Sequence, residues 1–200
     1  MLLVTFLTFL PALFISVTSF TRIIIVFSFL RQAIGLQQSP PNQILIGLSL
    51  FLTFAIMTPV FNEMNANGIQ PYLDGKITEE KALVAVVNPL REFMFRQTRT
   101  SDINLMLQIS KKDSVDKFED ISTAILIPAF ILSELKTAFQ IGFMLYIPFV
   151  VMDMMVAMIL LSMGMMVLPP VIISLPFKIM LFVVVNGWDL VITSLIRSFK

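Results

Sequence analysis

The chain has 200 residues, of which 57% are hydrophobic and 14% charged, against roughly 45–50% apolar and about 25% charged in ordinary soluble domains; that balance calls for a bilayer or an equivalent apolar assembly. A formal net charge of +1 is too small to support an electrostatic argument for nucleic acid, which is usually held by a concentrated basic stripe. Cys and His are both absent, which removes thiolate nucleophiles, disulfides, ordinary zinc sites and the commonest general base near neutral pH.

Residues 1–20 are long and apolar enough to span hydrocarbon, with Pro11 as a kink near the middle. They lack the charged opening and small-residue cleavage site of a secretory signal, and are expected to be a mature hydrophobic segment. Arg22 and Arg31 bracket eight largely apolar residues, after which Gln37, Gln38, Ser39, Pro40 and Pro41 predict a hairpin connection. A second uncharged run covers 44–61, with Asn42 as its expected cap and Pro59 near its exit.

Residues 62–120 differ sharply, holding eight of the 14 Lys and Arg residues and ten of the 13 Asp and Glu residues. They are expected to form a small solvated helical domain. Thr78 is placed to cap a helix with Glu79 and Glu80 in its first turn, and Asn88 with Pro89 to start another. Leu90, Phe93 and Met94 share one helical face; Ser101 opens a further segment in which Ile103, Met106 and Leu107 do the same.

The run 121–152 is apolar but contains Pro128, Glu134, Lys136, Gln140 and Pro148. Ionised groups near the centre of a lipid-facing helix cost roughly 2.5–3.5 kcal/mol each, so Glu134 and Lys136 need partners from protein or water. Shorter runs follow at 154–168, ended by Pro169 and Pro170, and at 171–185, broken by Pro176 and Lys178. After Asn186 and Gly187, the spacing of Trp188, Val191, Ile192, Leu195, Ile196 and Phe199 predicts an amphipathic helix. The fold class is therefore all-α: an N-terminal hydrophobic helical hairpin (1–61), a polar helical domain (62–120), and C-terminal hydrophobic helices with a Met-rich loop (121–200). Arg22 and Arg31 give their short loop two positive and no negative charges, which favours the cytoplasm and sends the polar domain to the periplasm.

Glu134 and Lys136 lie about 200° apart on a helix and are no same-face pair. Lys178 is the expected partner of Glu134, within one chain or across a subunit interface, with Asp153 a second candidate for either lysine. Such a set reads as a proton relay or, more plainly, as a buried ion pair that fixes helix register or subunit assembly. Ala129, Ser133 and Thr137, with Ala138 and Gly142 beside them, form a small-residue face for close helix approach. Met163, Met165 and Met166 read either as a deformable seal around a passage or as core filling, and Phe139, Phe143 and Phe149 as a lumen constriction or as packing. Phosphate loops and nucleophile elbows are missing from the sequence; neither catalytic residue, metal site nor cofactor is expected, and the chain is not expected to be an enzyme.

Three blocks of sequence carry a family resemblance. The first comprises Ser19-Phe20-Thr21-Arg22, Leu30-Arg31-Gln32 and Gln37-Gln38-Ser39-Pro40-Pro41-Asn42-Gln43; the second, Pro128-Ala129-Phe130 and the string from Ser133-Glu134-Leu135-Lys136 to Gly142-Phe143. The third comprises Met163-Gly164-Met165-Met166, Pro169-Pro170, Ile173-Ser174-Leu175-Pro176-Phe177-Lys178 and Asn186-Gly187-Trp188. Together they resemble the FliP family of flagellar type III export-gate proteins, related to subunits of the virulence injectisome. The resemblance implies about five copies closed into a helical ring with FliQ-like and FliR-like partners, in the bacterial inner membrane at the flagellar basal body. That ring would be the entrance through which unfolded flagellar subunits leave the cytoplasm, with FlhA-like and FlhB-like proteins as further partners. It also implies Met163, Met165 and Met166 as a pore gasket and Glu134 with Lys178 as a subunit-interface pair, in helices raised out of the membrane plane. Competing readings are a proton-coupled membrane carrier using Glu134, Asp153 and Lys178, and an intramembrane hydrolase.

Overall fold

The computed structural model describes residues 11–12, 14–111, 121–165 and 168–199; among them there is no strand, and the chain is all-helical. Helix α1 (Phe20–Ile34) ends where Gly35 turns to a φ of 91°. The Gly35 N–H donates to Gln32 O at 3.0 Å and the Leu36 N–H to Arg31 O at 3.1 Å, the paired bonds of a Schellman stop, for which a glycine supplies the left-handed residue. The predicted turn follows, pinned by Arg31, whose Nη1 donates to Pro40 O at 3.3 Å and to Asn42 Oδ1 at 2.6 Å. Asn42 thus serves Arg31 instead of capping: the first helical acceptor of the next helix is Pro41 O, bound by Leu45 N–H at 3.3 Å.

Helix α2 (Asn42–Met64) runs through Pro59 and does not stop with the apolar sequence. It passes into a π-turn at Asn65–Ile69 and a last short helix, α3 (Gln70–Leu73). The wider π-turn brings buried Gly68 against Val86 so closely that a Cβ there would lie 2.5 Å from Val86 Cγ2. Helix α4 (Glu79–Gln97) starts at Thr78 as predicted, with Glu79 and Glu80 in its first turn, although the Thr78 side chain makes no cap bond. It also corrects the expected restart at Asn88, because α4 continues through Pro89. Pro89 sits on the buried face with Ala82, Phe93 and Met94. Helix α5 (Thr100–Ile109) buries Ile103 and Leu107, as the spacing predicts, and with them Asp102.

Helix α6 (Thr123–Ser162) is one continuous run of 40 residues, where the sequence suggested separate runs at 121–152 and 154–168. At 1.5 Å per residue it is about 60 Å long, twice the roughly 30 Å of a bilayer's hydrocarbon. Pro170 occupies the first turn of α7 (Pro170–Val184), the position where a missing N–H costs least. Asn186, at φ 50°, then turns the chain into α8 (Gly187–Arg197), bent 63° from α7. Val191 and Leu195 of the predicted apolar stripe are buried. Among the described residues, two helical stretches, Asn42–Leu73 and α6, are long and apolar enough to cross a membrane, or three spans if the bent α7–α8 pair counts as one; most of the expected span at 1–20 lies outside the described residues.

By contact the chain divides into two units, Met1–Arg22 with Leu50–Lys136, and Ile23–Ser49 with Thr137–Lys200. The first is built around Met57, Met94, Leu126 and Ala129, with Phe93 and Phe130 edge-on at 6.0 Å. The second is built around Ile23, Val26, Phe27, Leu30 and Ala138, with Trp188 edge-on to Phe182 at 5.5 Å and to Phe27 at 6.1 Å. Gly187 makes that aromatic group possible, since a Cβ there would fall 2.1 Å from the Phe182 ring. Gly187→Ala is expected to lower stability by about 1–3 kcal/mol, the usual cost of overpacking, as a fall in the unfolding midpoint of the detergent-solubilised chain.

Candidate functional site

Glu134 meets a guanidinium, not an ammonium. Arg22 of α1 and Glu134 of α6 are 2% and 0% exposed. Arg22 Nε donates to Glu134 Oε2 at 2.9 Å and its Nη2 to Oε1, a two-point pairing that fits the planar fork of arginine. Arg22 Nη2 also donates to Gln97 Oε1, at the end of α4, at 3.2 Å. The neighbouring positions of α6 reach α5: Ser133 Oγ accepts from the Arg99 N–H at 2.9 Å, and Lys136 Nζ binds Asp102 Oδ1. Asp102 lies in the first turn of α5, where a carboxylate suits the helix dipole. Its Oδ2 is buried without a hydrogen-bond partner among the described residues. Three polar positions on α6 therefore tie it to α1 and to the start of α5, and Arg22 carries the tie on to α4.

A second ion pair belongs to the other unit. Lys178 of α7, 3% exposed, binds Asp153 Oδ2 of α6 at 2.6 Å and donates to Ala33 O at 3.3 Å. Ala33 is in the last turn of α1, where carbonyls lack helical partners and a cation is favoured. Ser174, one turn before Lys178 on the same face of α7, donates its hydroxyl to Asp153 Oδ1. The expected pairing of Glu134 with Lys178 inside one chain is thus replaced by two separate pairs. Asp153, the second candidate for a lysine, is the one that Lys178 takes.

The remaining predicted residues fall into different environments. Phe149 is buried at 5% exposure, whereas Phe139 and Phe143 are 52% and 67% exposed. Phe139 also meets Phe29 edge-on at 5.5 Å. Within the small-residue face, Ala129, Ser133 and Ala138 are fully buried, and Gly142 is covered by the Phe29 ring, with which a Cβ would clash at 2.6 Å. Met163 and Met165 stand exposed at the end of α6, around Gly164 at φ 75°; Met166 lies outside the described residues.

Sequence reasoning missed Arg22, Gln97, Asp102 and Ser174 as partners. Arg22 carried the same signal that singled out Glu134, a lone charge inside an apolar run. Counting it as a loop charge concealed this: Arg22 lies within α1 and is neutralised by Glu134, so the charge argument for orientation keeps only Arg31.

Residues 3–195 match the model of the FliP family. The chain is 51% identical over 199 residues to the flagellar biosynthetic protein FliP of Bacillus subtilis (strain 168), covering all of this chain and 90% of that protein. To the protein of the same name from Aquifex aeolicus (strain VF5) it is 50% identical, over all of this chain and 84% of the relative. For that from Treponema pallidum (strain Nichols) the figures are 47%, all of this chain and 74%.

Proposed function

The chain belongs to the FliP family of flagellar biosynthetic proteins, and from that premise we propose that it is a core subunit of the flagellar type III export gate. In this reading about five copies close into a ring with FliQ-like and FliR-like subunits in the inner membrane, residues 62–120 facing the periplasm. The ring forms the channel entrance for unfolded flagellar subunits, works with FlhA-like and FlhB-like proteins, and catalyses no reaction. One observation carries it beyond the family name. The charged side chains of α6 are satisfied within the chain, while the helix beyond Lys136 exposes Phe139, Phe143, Met144, Met154, Met155 and Met158. An apolar face of that extent is surface that a protein covers with neighbours or lipid.

Native mass spectrometry of the extracted protein, expressed with and without its neighbouring membrane-export genes, tests the assembly. A discrete ring mass that incorporates further subunits is the expected result. A stable monomer or dimer without partners would favour the proton-coupled carrier. The gasket is tested separately: replacing Met163, Met165 and Met166 with Ala is expected to leave the ring assembled but leaky to small ions in reconstituted vesicles. An assembled, fully tight variant would remove the gasket role.

A further inference from the structure

Arg31 does two things at once. Its Nη1 is fixed by Pro40 O and Asn42 Oδ1. Its Nε and Nη2, which carry the other three of the five guanidinium donors, meet no acceptor among the described residues. Those two nitrogens form one edge of the fork, the geometry that takes two oxygens of a phosphate or carboxylate side by side. Arg31 also lines a cavity of about 310 Å³ with Leu30, Ile34, Ile179, Phe182 and Trp188, at the lower end of the range for ligand pockets. The walls are otherwise apolar or uncharged, and among the described residues that line it there is no carboxylate to answer the guanidinium.

An apolar chamber with one positioned cation at its edge and a tryptophan beside it matches a molecule with a hydrocarbon body and an anionic head. Tryptophan favours the same boundary, since its ring is apolar and its N–H is polar. We propose that this cavity is a binding site for an anionic phospholipid of the surrounding bilayer, its acyl chain against Leu30, Ile179 and Phe182 and its phosphate on the free edge of Arg31. The occupant is a lipid and not free phosphate because phosphate would leave the apolar chamber unfilled.

Trp188 is the chain's single tryptophan, which makes it a built-in reporter. The full-length chain in neutral detergent is titrated with phosphatidylglycerol carrying brominated acyl chains, and separately with phosphatidylcholine of identical chains; bromine quenches tryptophan fluorescence only at close range. Half-maximal quenching is expected at about tenfold lower concentration of the anionic lipid. Arg31→Gln should abolish that preference, and Arg31→Lys should retain part of it. Excess inorganic phosphate should not relieve the quenching. Equal quenching by the two lipids in the native chain, which requires no variant to fold, would overturn the proposal. So would an unchanged preference in Arg31→Gln with native helix content, or relief by inorganic phosphate, which would mark a simple anion site.

Discussion

Arg22→Met is expected to destabilise the chain by about 3–5 kcal/mol, whereas Arg22→Met combined with Glu134→Leu is expected to recover most of that loss. Both follow from Glu134 being wholly buried. Bringing two charges out of water is expensive, and their attraction with good hydrogen bonds roughly offsets the cost, so the intact pair adds little net stability. Removing one partner leaves the other desolvated and alone, which carries the full penalty. Gln97 offers Arg22 a neutral oxygen, so the mirror variant Glu134→Leu should cost somewhat less than Arg22→Met. Unfolding of the solubilised chain by a denaturing detergent, monitored by circular dichroism, gives all four corners of the cycle. A double variant no more stable than Arg22→Met would mean that the pair itself, and not its charge balance, holds α6.

Asp153→Asn is expected to cost about 2–3 kcal/mol, less than the first substitution for a geometric reason. The Lys178 side chain is 4% exposed but Asp153 is 26% exposed, so this pair is less completely enclosed than Arg22 with Glu134. The amide can still accept from Lys178 through its oxygen, and Ala33 O remains as a second acceptor. Lys178→Met, which removes the buried cation outright, should be the milder change, because Asp153 is only partly enclosed and keeps the Ser174 hydroxyl. The same unfolding assay separates them: Asp153→Asn more damaging than Lys178→Met supports a cation-centred site, and the reverse order would contradict it.

The helical class, the turn at Pro40 and Pro41, and helix α8 with its buried Val191 and Leu195 were legible because each depends on local spacing or turn chemistry. Helix continuity was not. Pro59, Pro89, Pro128, Pro148 and Pro176 all lie inside helices, although in water a proline removes a helical bond and clashes with the preceding turn. In apolar surroundings the alternatives are poorer still, because a helix that stops leaves several backbone groups unpaired and a proline leaves far fewer. The ion pairs were half legible: a charge inside an apolar run announces that it needs a partner, but not where the partner is. Lys178 seemed natural for Glu134 because it is isolated in the other interrupted apolar run, while the actual partner stands 112 residues away. Asp102 was hidden differently, sitting in an acidic and basic stretch that reads as solvated surface.

That separation sets a schedule for synthesis. At about 5–20 residues per second, Arg22 leaves the ribosome on the order of ten seconds before Glu134 follows it. Throughout that interval α1 holds a guanidinium whose counter-ion has not been made, so the helix cannot settle alone into its final apolar surroundings without paying for an unmatched charge. Only when the middle of α6 emerges does the charge close, and α4 and α5 are already present by then to supply Gln97 and Asp102. The first helix therefore stays unmatched in charge until the middle of α6 has been made.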